Sequence, residues 1–195
     1  VGTIKESISS VLNQNYSDYE YIIIDGASSD GTVEIIKEFE SVFEGKMTWI
    51  SERDDGIYSA MNKGIEKAKG DFIYMLNSDD KLEGNALAKV AEAIAKNDKQ
   101  IGVYYGIVRL VDENNEELQL LRYNHNSLPK HPILHPSCFI SKNLHEKYGM
   151  YEQSYKLAAD YDFYLKIYLQ NAQFFPMDFI VSNFSVTGKS NTDMF

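Results

Sequence analysis

The stretch GDFIYMLNSDD, residues 70–80, decides how the rest of the chain is interpreted. Its apolar run 72–76 is too short for a helix and is flanked by turn-forming residues, which predicts a buried β-strand. The polar segment NSDD, residues 77–80, follows directly. Ligands of an open α/β sheet bind outside the carboxyl ends of its strands, so NSDD is expected at the rim of a binding crevice.

Two interpretations of NSDD follow from its residue types. Carboxylate and amide oxygens are hard ligands that suit Mg²⁺ or Mn²⁺, and a metal held there could neutralise a bound diphosphate. Alternatively, the segment is a polar turn that caps a helix starting near Leu82, because Asp and Ser are favoured at helix N-termini. The segment alone leaves both interpretations open.

Composition bounds the kind of protein. The 195 residues are 44% hydrophobic and 25% charged, which is typical of one globular domain. The formal net charge of −10 argues against a duplex or RNA binder, because phosphate backbones attract clustered Lys and Arg. The single cysteine, Cys138, cannot form an internal disulfide and suits a reduced, cytoplasmic compartment. The apolar runs are far shorter than the roughly 20 residues needed for a membrane-spanning helix.

Strand and helix patterns alternate along the chain. Before NSDD, the periodicity predicts helices over residues 3–14, 33–39 and 57–68, and strands over 19–24 and 47–50. After it, the patterns predict a helix over 82–95, a hairpin of 103–111 with 118–123, a functional or lid-like loop over 124–136, helices over 141–148 and from Asp160, and a strand over 174–183. The sequence therefore predicts an α/β fold with a mixed, mainly parallel sheet flanked by helices.

One domain spanning residues 1–195 accounts for these patterns, since no repeat or linker divides them. A fold of this kind normally opens with a central strand, whereas the first pattern here is a helix at residue 3. We therefore expect that an N-terminal strand is missing from the given chain.

Four acidic sites fall at predicted strand ends or helix starts. They are Asp25, the pair Asp54 and Asp55, the pair Asp79 and Asp80, and Asp160 with Asp162. Each can be explained as a cap or turn residue. The functional alternative for Asp160 is a carboxylate that acts as a general base.

Two further features have competing explanations. His135, in the segment LHPSCF, could bind a metal or substrate or could be an ordinary loop residue. Tyr161, Tyr164 and Tyr168 recur at the helical packing period, which favours a role in the core.

Four segments together carry a family resemblance. YIIIDGASSDGT, SERDDGIYSAMNKGIEKAKGD, FIYMLNSDD and AADYDFYLKI, in this order and at these intervals, resemble the family two glycosyltransferases. The similarity extends from about Thr3 to Ser190. It implies a GT-A, Rossmann-like fold and an inverting enzyme that uses nucleotide-diphosphate sugars.

The resemblance implies roles for the nucleotide half of the site. Asp25 matches the acidic position that contacts the nucleotide base, and Gly26 stands where a second Asp is often found. Asp54 and Asp55, with the segment containing Asn62 and Lys63, resemble the loop and helix that close over the nucleotide-sugar.

It also implies roles for the reaction centre. The segment 77–79 matches the family's Asp-x-Asp, with Asn77 in place of the first Asp as a nucleotide-sugar contact. Asp79 keeps the metal position for Mn²⁺ or Mg²⁺, and Asp80 is the frequent extra carboxylate that contacts the nucleotide-sugar. Asp160 matches the catalytic base, although the preceding Glu of the family is Ala159 here. VTGKS, residues 186–190, resembles a tail with Gly-Gly-x-Ser. Apart from the resemblance, His135 is a candidate contact for the acceptor or the diphosphate.

The leading functional hypothesis is an inverting hexosyl- or N-acetylhexosaminyl-transferase in glycan or polysaccharide biosynthesis, with a UDP-sugar as the expected donor. Its acceptor would be a glycan or lipid-linked glycan, with no nucleic acid partner. We expect a cytoplasmic location, with peripheral association at the inner face of the membrane as an option. A metal-dependent nucleotidyltransferase and a non-catalytic sugar-nucleotide-binding module are the alternatives.

Overall fold

Helices and strands alternate as far as residue 74 in a computed structural model, which describes residues 2–186. The helices are α1 Gly2–Leu12, α2 Thr32–Glu40, α3 Ile57–Lys67, α4 Ala86–Lys96, α5 Lys142–Tyr148 and α6 Ala159–Leu169. The strands are β1 Tyr21–Asp25, β2 Met47–Ser51, β3 Phe72–Tyr74, β4 Lys81–Leu82, β5 Gly102–Val111, β6 Glu117–Leu121, β7 Cys138–Ser141 and β8 Gln173–Ser185. None of the helices within these residues is long and apolar enough to cross a membrane.

The strands form two sheets in the described part of the chain. β1 and β2 pair in parallel, with Asp25 opposite Ser51 at their carboxyl ends. The larger sheet has the order β3-β7-β5-β8-β4, with β6 on β5. Its β5 and β8 are parallel, while its other pairings are antiparallel. The predicted mixed α/β fold is confirmed, with fewer parallel pairings than expected.

Apolar side chains cover both faces of the larger sheet. β5 shows why: alternate residues of a strand point to opposite faces, so Val103 and Tyr105 join one core cluster while Tyr104 joins the other. The cluster around Val103 contains residues of α3, α5 and α6. The cluster around Tyr104 contains residues of α1, α2 and α4. This packing fixes the beginnings of α3 and α6, from which the site is built.

The predicted tyrosine stripe of α6 does belong to the core. Tyr164 has no exposed surface, and Tyr161 donates a hydrogen bond from its hydroxyl to the Leu128 carbonyl over 2.8 Å. Tyr168 packs, partly buried, on the same cluster. Burial of each large side chain stabilises the fold by about 1.5–3 kcal/mol, which holds the first turn of α6 in place.

One predicted helix start was wrong, together with the cap interpretation that depended on it, and two short strands were missed. The predicted helix from Leu82 begins at Ala86, because Lys81 and Leu82 form β4 on the edge of the sheet beside β8. NSDD therefore does not cap that helix. The predicted loop 124–136 contains a 3₁₀ turn, and a second one, His135–Ser137, leads into β7, a strand that the sequence patterns did not predict. Pairing with β3 and β5 makes the four residues of β7 a strand.

Candidate active site

Asp25 ends β1 with its carboxylate held in place by neighbours. The Ser51 hydroxyl donates to Oδ2 over 2.6 Å, and the Ser28 backbone N–H donates to the same oxygen over 3.0 Å. Burial raises the pKa of Asp25, but the hydrogen bonds from Ser28 and Ser51 outweigh burial, and the net shift is below the ordinary value. Asp25 is therefore an ionised acceptor at neutral pH.

Asp54 lies against the turn that follows β1. A Cβ atom added to Gly26 would come within 2.8 Å of Asp54 Oδ2, so a side chain at position 26 would collide with this carboxylate. Asp54 Oδ1 accepts a hydrogen bond from the Gly56 backbone N–H over 3.1 Å, at the start of α3. The glycine that replaces the second Asp of the family thus permits the close approach of Asp54. Asp55 is exposed.

NSDD forms a tight turn after β3. The Asp80 backbone N–H donates to the Asn77 carbonyl over 3.2 Å, and the Asn77 side-chain amide donates to Asp80 Oδ2 over 3.1 Å. Asp80 Oδ1 accepts from the Ser185 backbone N–H over 3.1 Å. Only 1% of Asp80 is exposed, and burial, followed by the negative charge of Asp79, raises its pKa to about 7.

Asp160 is the second residue of α6, not its cap. The cap position is Ala158, and no side chain caps this helix end. The Tyr58 hydroxyl donates to Asp160 Oδ1 over 3.0 Å, and His135 Nδ1 lies 3.4 Å from Asp160 Oδ2. Burial raises the pKa of Asp160, but hydrogen bonds from His135 and Tyr58 lower it below the ordinary value. The N-cap alternative is thereby excluded.

His135 joins these two groups of residues. While its Nδ1 faces Asp160, its Nε2 lies 3.2 Å from the Asn77 side-chain amide nitrogen. The ring thus bridges NSDD and the first turn of α6. Both ring nitrogens have protein neighbours, so the predicted contact of His135 with acceptor or diphosphate would compete with these bonds.

The other predicted nucleotide-sugar residues lie on α3. Asn62 is 5% exposed, and its amide both donates to the Tyr151 carbonyl over 2.8 Å and accepts from the Tyr151 N–H over 3.0 Å. The Lys63 ammonium lies 2.7 Å from Glu52 and 3.3 Å from the Arg53 carbonyl. The hydrogen bonds of Asn62 therefore connect α3 to the segment before α6. The ion pair and hydrogen bond of Lys63 connect α3 to the segment after β2.

Tyr58 was not singled out from the sequence. It occupies the second position of α3, four residues after Asp54, so the start of this helix links the nucleotide half of the site to Asp160. A usable signal exists in the segment DDGIY, where an aromatic side chain with a hydroxyl donor follows two carboxylates, a glycine and an isoleucine. Its partner lies 102 residues away, and no local pattern identifies it.

The carboxylate of Asp79 suits a divalent cation whose remaining coordination positions are filled by the bound substrate and by water. No group of three or more His, Cys, Asp or Glu within residues 2–186 could hold a metal alone. Mg²⁺ usually needs only one or two carboxylates beside substrate phosphates and waters. Asp79 is half-buried and has no hydrogen bond or ion pair to another residue of the described chain. Its negative charge also raises the pKa of Asp80. Asp79 is therefore suited to such a cation. Apart from Val186, the VTGKS tail lies outside the described residues.

Comparisons with known proteins identify the family of this chain. The sequence profile of "Glycosyl transferase family 2" matches residues 2–151. A "PGL/p-HBAD biosynthesis glycosyltransferase" of Mycobacterium bovis is 29% identical over 167 residues, which are 83% of this chain and 62% of that protein. An uncharacterized glycosyltransferase of Methanocaldococcus jannaschii is 25% identical over 197 residues, covering 96% of this chain and 67% of its own length. The chain thus spans less than two thirds of the mycobacterial relative.

Solved structures share the fold. S. aureus TarS in complex with UDP-GlcNAc superimposes with a TM-score of 0.79 at 17% identity, over 98% of this chain and 57% of that one. GalNAc-T7 with UDP, GalNAc and Mn²⁺ gives a TM-score of 0.70 at 16% identity, over 94% and 40% of the two chains. Since the family profile covers well over half of the residues and the same mixed α/β architecture recurs in these glycosyltransferases, the chain belongs to glycosyl transferase family 2 and has the GT-A fold.

Proposed function

We propose that this chain is the catalytic domain of an inverting glycosyltransferase, with Asp160 as its general base. The observation that supports this most directly is the bridge formed by His135, which places an ionised Asp160 one imidazole ring away from NSDD. A base and a diphosphate site must lie this close if both act on one sugar carbon.

The reaction proposed here is a single displacement. The acceptor oxygen attacks the anomeric carbon and forms the new C–O bond, while the bond to the diphosphate breaks and its electron pair leaves with the phosphate oxygen. Asp160 accepts the hydroxyl proton as the attacking oxygen becomes acidic. Tyr58 donates to one oxygen of Asp160 and His135 lies beside the other, which fixes the orientation of the carboxylate.

The nucleotide-sugar half of the site is assigned from the family resemblance. We place the nucleobase near Asp25 and Asp54, which accept hydrogen bonds from Ser51 and from the Gly56 backbone N–H respectively. Asp79 would hold Mg²⁺ or Mn²⁺. When bound, that ion would supply positive charge that stabilises the departing diphosphate. Asn77, Asp80, Asn62 and Lys63 then shape the surrounding wall, and Asp55 lies exposed at its edge.

A UDP-sugar is the proposed donor, because TarS and GalNAc-T7 have been solved with UDP or a UDP-sugar. We propose a hexosyl or N-acetylhexosaminyl group as the sugar, and a glycan or lipid-linked glycan as the acceptor. We further propose that this domain works in the cytoplasm, with peripheral association at the inner face of the membrane as an option.

A thermal-unfolding screen of nucleotide-sugars with and without Mn²⁺ tests this function. A ligand at 100 times its dissociation constant stabilises the native state by about 2.7 kcal/mol, which is easily measured as a higher melting temperature. We expect UDP-sugars to raise the melting temperature only when Mn²⁺ is present. GDP- and dTDP-sugars are included in the same screen to test whether the site prefers UDP over other nucleotides.

Asp79→Ala is the variant that tests the metal assignment. It should abolish the Mn²⁺-dependent stabilisation by UDP and leave the melting temperature without ligand nearly unchanged, because a half-buried carboxylate at the rim contributes little to the core. Asp71→Ala, an exposed carboxylate before β3, is the matched control and should behave like wild type. Unchanged Mn²⁺-dependent UDP binding in a folded Asp79→Ala protein would refute the assignment.

A further inference from the structure

The Asn62 side chain connects α3 to the segment that leads to α6 through two hydrogen bonds. Its amide nitrogen donates to the Tyr151 carbonyl over 2.8 Å, and its amide oxygen accepts from the Tyr151 N–H over 3.0 Å. A backbone N–H can only donate and a carbonyl can only accept, so these two partners fix the orientation of the amide. Asn62 is 5% exposed. Both polar atoms of the side chain are thus bonded to Tyr151 and shielded from solvent.

Tyr151 lies where three helices meet. The centroid of its ring is 5.9 Å from that of Tyr58 in α3, 5.6 Å from that of Phe163 in α6 and 5.4 Å from that of His145 in α5. Tyr151 is 3% exposed. Because buried side chains are closely packed, a shift of the Tyr151 backbone would displace the rings that contact it. The position of Tyr58 therefore depends on the backbone that Asn62 holds.

Tyr58 extends this dependence to Asp160. Tyr58 and Asn62 are four residues apart on α3, so their side chains lie on the same face of the helix. The Tyr58 hydroxyl donates to Asp160 Oδ1 over 3.0 Å. One face of α3 thus contacts both Asp160 and the segment before it, through Tyr58 and through Asn62.

We propose that Asn62 is a positioning residue for the base: by holding the Tyr151 backbone, it keeps the Tyr58 hydroxyl in contact with Asp160. Its functional meaning rests on the proposed role of Asp160. The family resemblance instead implies that Asn62 contacts the nucleotide-sugar. The proposal replaces that contact by an indirect role, because both polar atoms of the amide are bonded to a buried backbone.

The carboxyl carbon signal of Asp160 reports the contact with Tyr58 without any substrate. In ¹³C-labelled protein at neutral pH, Asp160→Asn identifies this signal by its absence. Tyr58→Phe should displace the signal, because a hydrogen bond to the carboxylate is lost. We expect Asn62→Ala to displace it in the same direction. A folded Asn62→Ala protein with the wild-type Asp160 signal would overturn the proposal.

The double variant Tyr58→Phe with Asn62→Ala tests whether the effect passes through Tyr58. Independent residues have additive effects, whereas residues that act through one another do not. We expect the double variant to displace the Asp160 signal as far as Tyr58→Phe alone. A displacement equal to the sum of the two single displacements would show that Asn62 acts by another route, and would overturn the proposal.

Gln14→Ala is the matched control. Gln14 also has a buried amide, which donates to the Glu83 carbonyl over 2.9 Å and accepts from the Leu87 N–H over 3.0 Å. It connects the end of α1 to the start of α4, beside the other core cluster. Gln14→Ala should lower the melting temperature, as Asn62→Ala does, and leave the Asp160 signal in place. An equal displacement in both variants would mean that general loosening of the fold moves Asp160, which would also overturn the proposal.

Amide hydrogen exchange in the wild-type protein supplies a test that needs no folded variant of Asn62. The Tyr151 N–H donates to a buried acceptor, so it should exchange far more slowly than an unprotected amide. Exchange of the Tyr151 amide at the rate of an unprotected amide would show that Asn62 does not hold this backbone, and the proposal would fall.

Kinetics separate the indirect role of Asn62 from a contact with the nucleotide-sugar. We expect Asn62→Ala to lower kcat by up to about 10²-fold, as small misplacements of a catalytic group do, and to leave the Mn²⁺-dependent affinity for UDP unchanged. A loss of UDP affinity with the wild-type Asp160 signal would assign Asn62 to the nucleotide-sugar and overturn the proposal. If no nucleotide-sugar raises the melting temperature of the wild-type protein, the proposed function fails, while the carboxyl signal still decides whether Asn62 positions Asp160.

Discussion

Asp80 and Asp160 are both largely buried carboxylates, yet their pKa values are shifted in opposite directions. Asp80 is 1% exposed, and burial together with the charge of Asp79 raises its pKa to about 7. The side chain of Asp160 is 15% exposed, and donors from His135 and Tyr58 outweigh burial and lower its pKa. The comparison teaches that burial raises the pKa of both carboxylates, and that neighbouring donors and charges decide whether the net shift is downward or upward.

The largest expected effect is the loss of sugar transfer in Asp160→Asn. Asparagine keeps the shape and can still accept from Tyr58, but it cannot take a proton, so transfer should fall about 10²- to 10⁴-fold. The Mn²⁺-dependent affinity for UDP should stay as in wild type. Initial rates with the donor found by the thermal screen, together with calorimetric titration of UDP, measure both quantities.

Asp162→Asn is the control for that experiment, because it removes a carboxylate from the same helix turn. Transfer at the wild-type rate by Asp160→Asn would show that the base lies elsewhere. A large loss in Asp162→Asn alone would move the base to that residue.

The second prediction concerns stability in metal-free buffer at pH 8. Asp80→Asn should raise the free energy of unfolding, because it removes a buried charge that repels Asp79; the shift of about three pKa units sets an upper bound of about 4 kcal/mol. Asp160→Asn should lower the free energy of unfolding by about 1.5–3 kcal/mol, since it weakens hydrogen bonds to a charged group. Urea denaturation of the two variants measures both changes. If both variants shifted the free energy of unfolding in the same direction, the contrast drawn between Asp80 and Asp160 would be wrong.

The third prediction is a pH dependence of the difference between wild type and Asp160→Asn. The pKa of Asp160 is lower in the folded protein than its ordinary value of 3.8. The unfolded chain therefore binds a proton first on acidification, and the stability contributed by the carboxylate is complete above about pH 3.8 and is lost as pH falls through the folded pKa. Urea midpoints of the two proteins should converge below pH 3.8, and convergence already at pH 6 would contradict this assignment.

The smallest expected effect is that of Tyr58→Phe. It removes the donor to Asp160 Oδ1 while keeping the aromatic ring, which lies 5.9 Å from the ring of Tyr151. We expect a cost of about 1.5 kcal/mol in stability, the lower end of the range for a lost hydrogen bond to a charged group, and an upward shift of the pKa of Asp160. The carboxyl carbon signal of Asp160, followed by NMR titration, measures that shift. An unaltered pKa would mean that His135 alone keeps the carboxylate ionised.

Several elements of the fold could be predicted from local sequence. The apolar period of α1, α2, α3 and α6 and the short β-rich runs of β1, β2 and β3 are properties of neighbouring residues, so the pattern indicates them directly. β4 and β7 were missed for the opposite reason. Two and four residues carry too little pattern, and their extended conformation depends on pairing with β8, β3 and β5.

The candidate site also has features that local sequence predicts and features that it does not. Sequence by itself placed Asp25, Asp79, Asp80 and Asp160 at strand ends and helix starts, because capping residues, turns and the family resemblance are recognisable in short segments. Only the tertiary structure paired Tyr58 with Asp160 across 102 residues and Asn77 with His135 across 58. Such bonds depend on how α3, α6 and the turn before β7 pack around one sheet, and the direction of a pKa shift depends in turn on those bonds. A linear sequence records which groups can donate or accept, but the three-dimensional packing decides which of them meet.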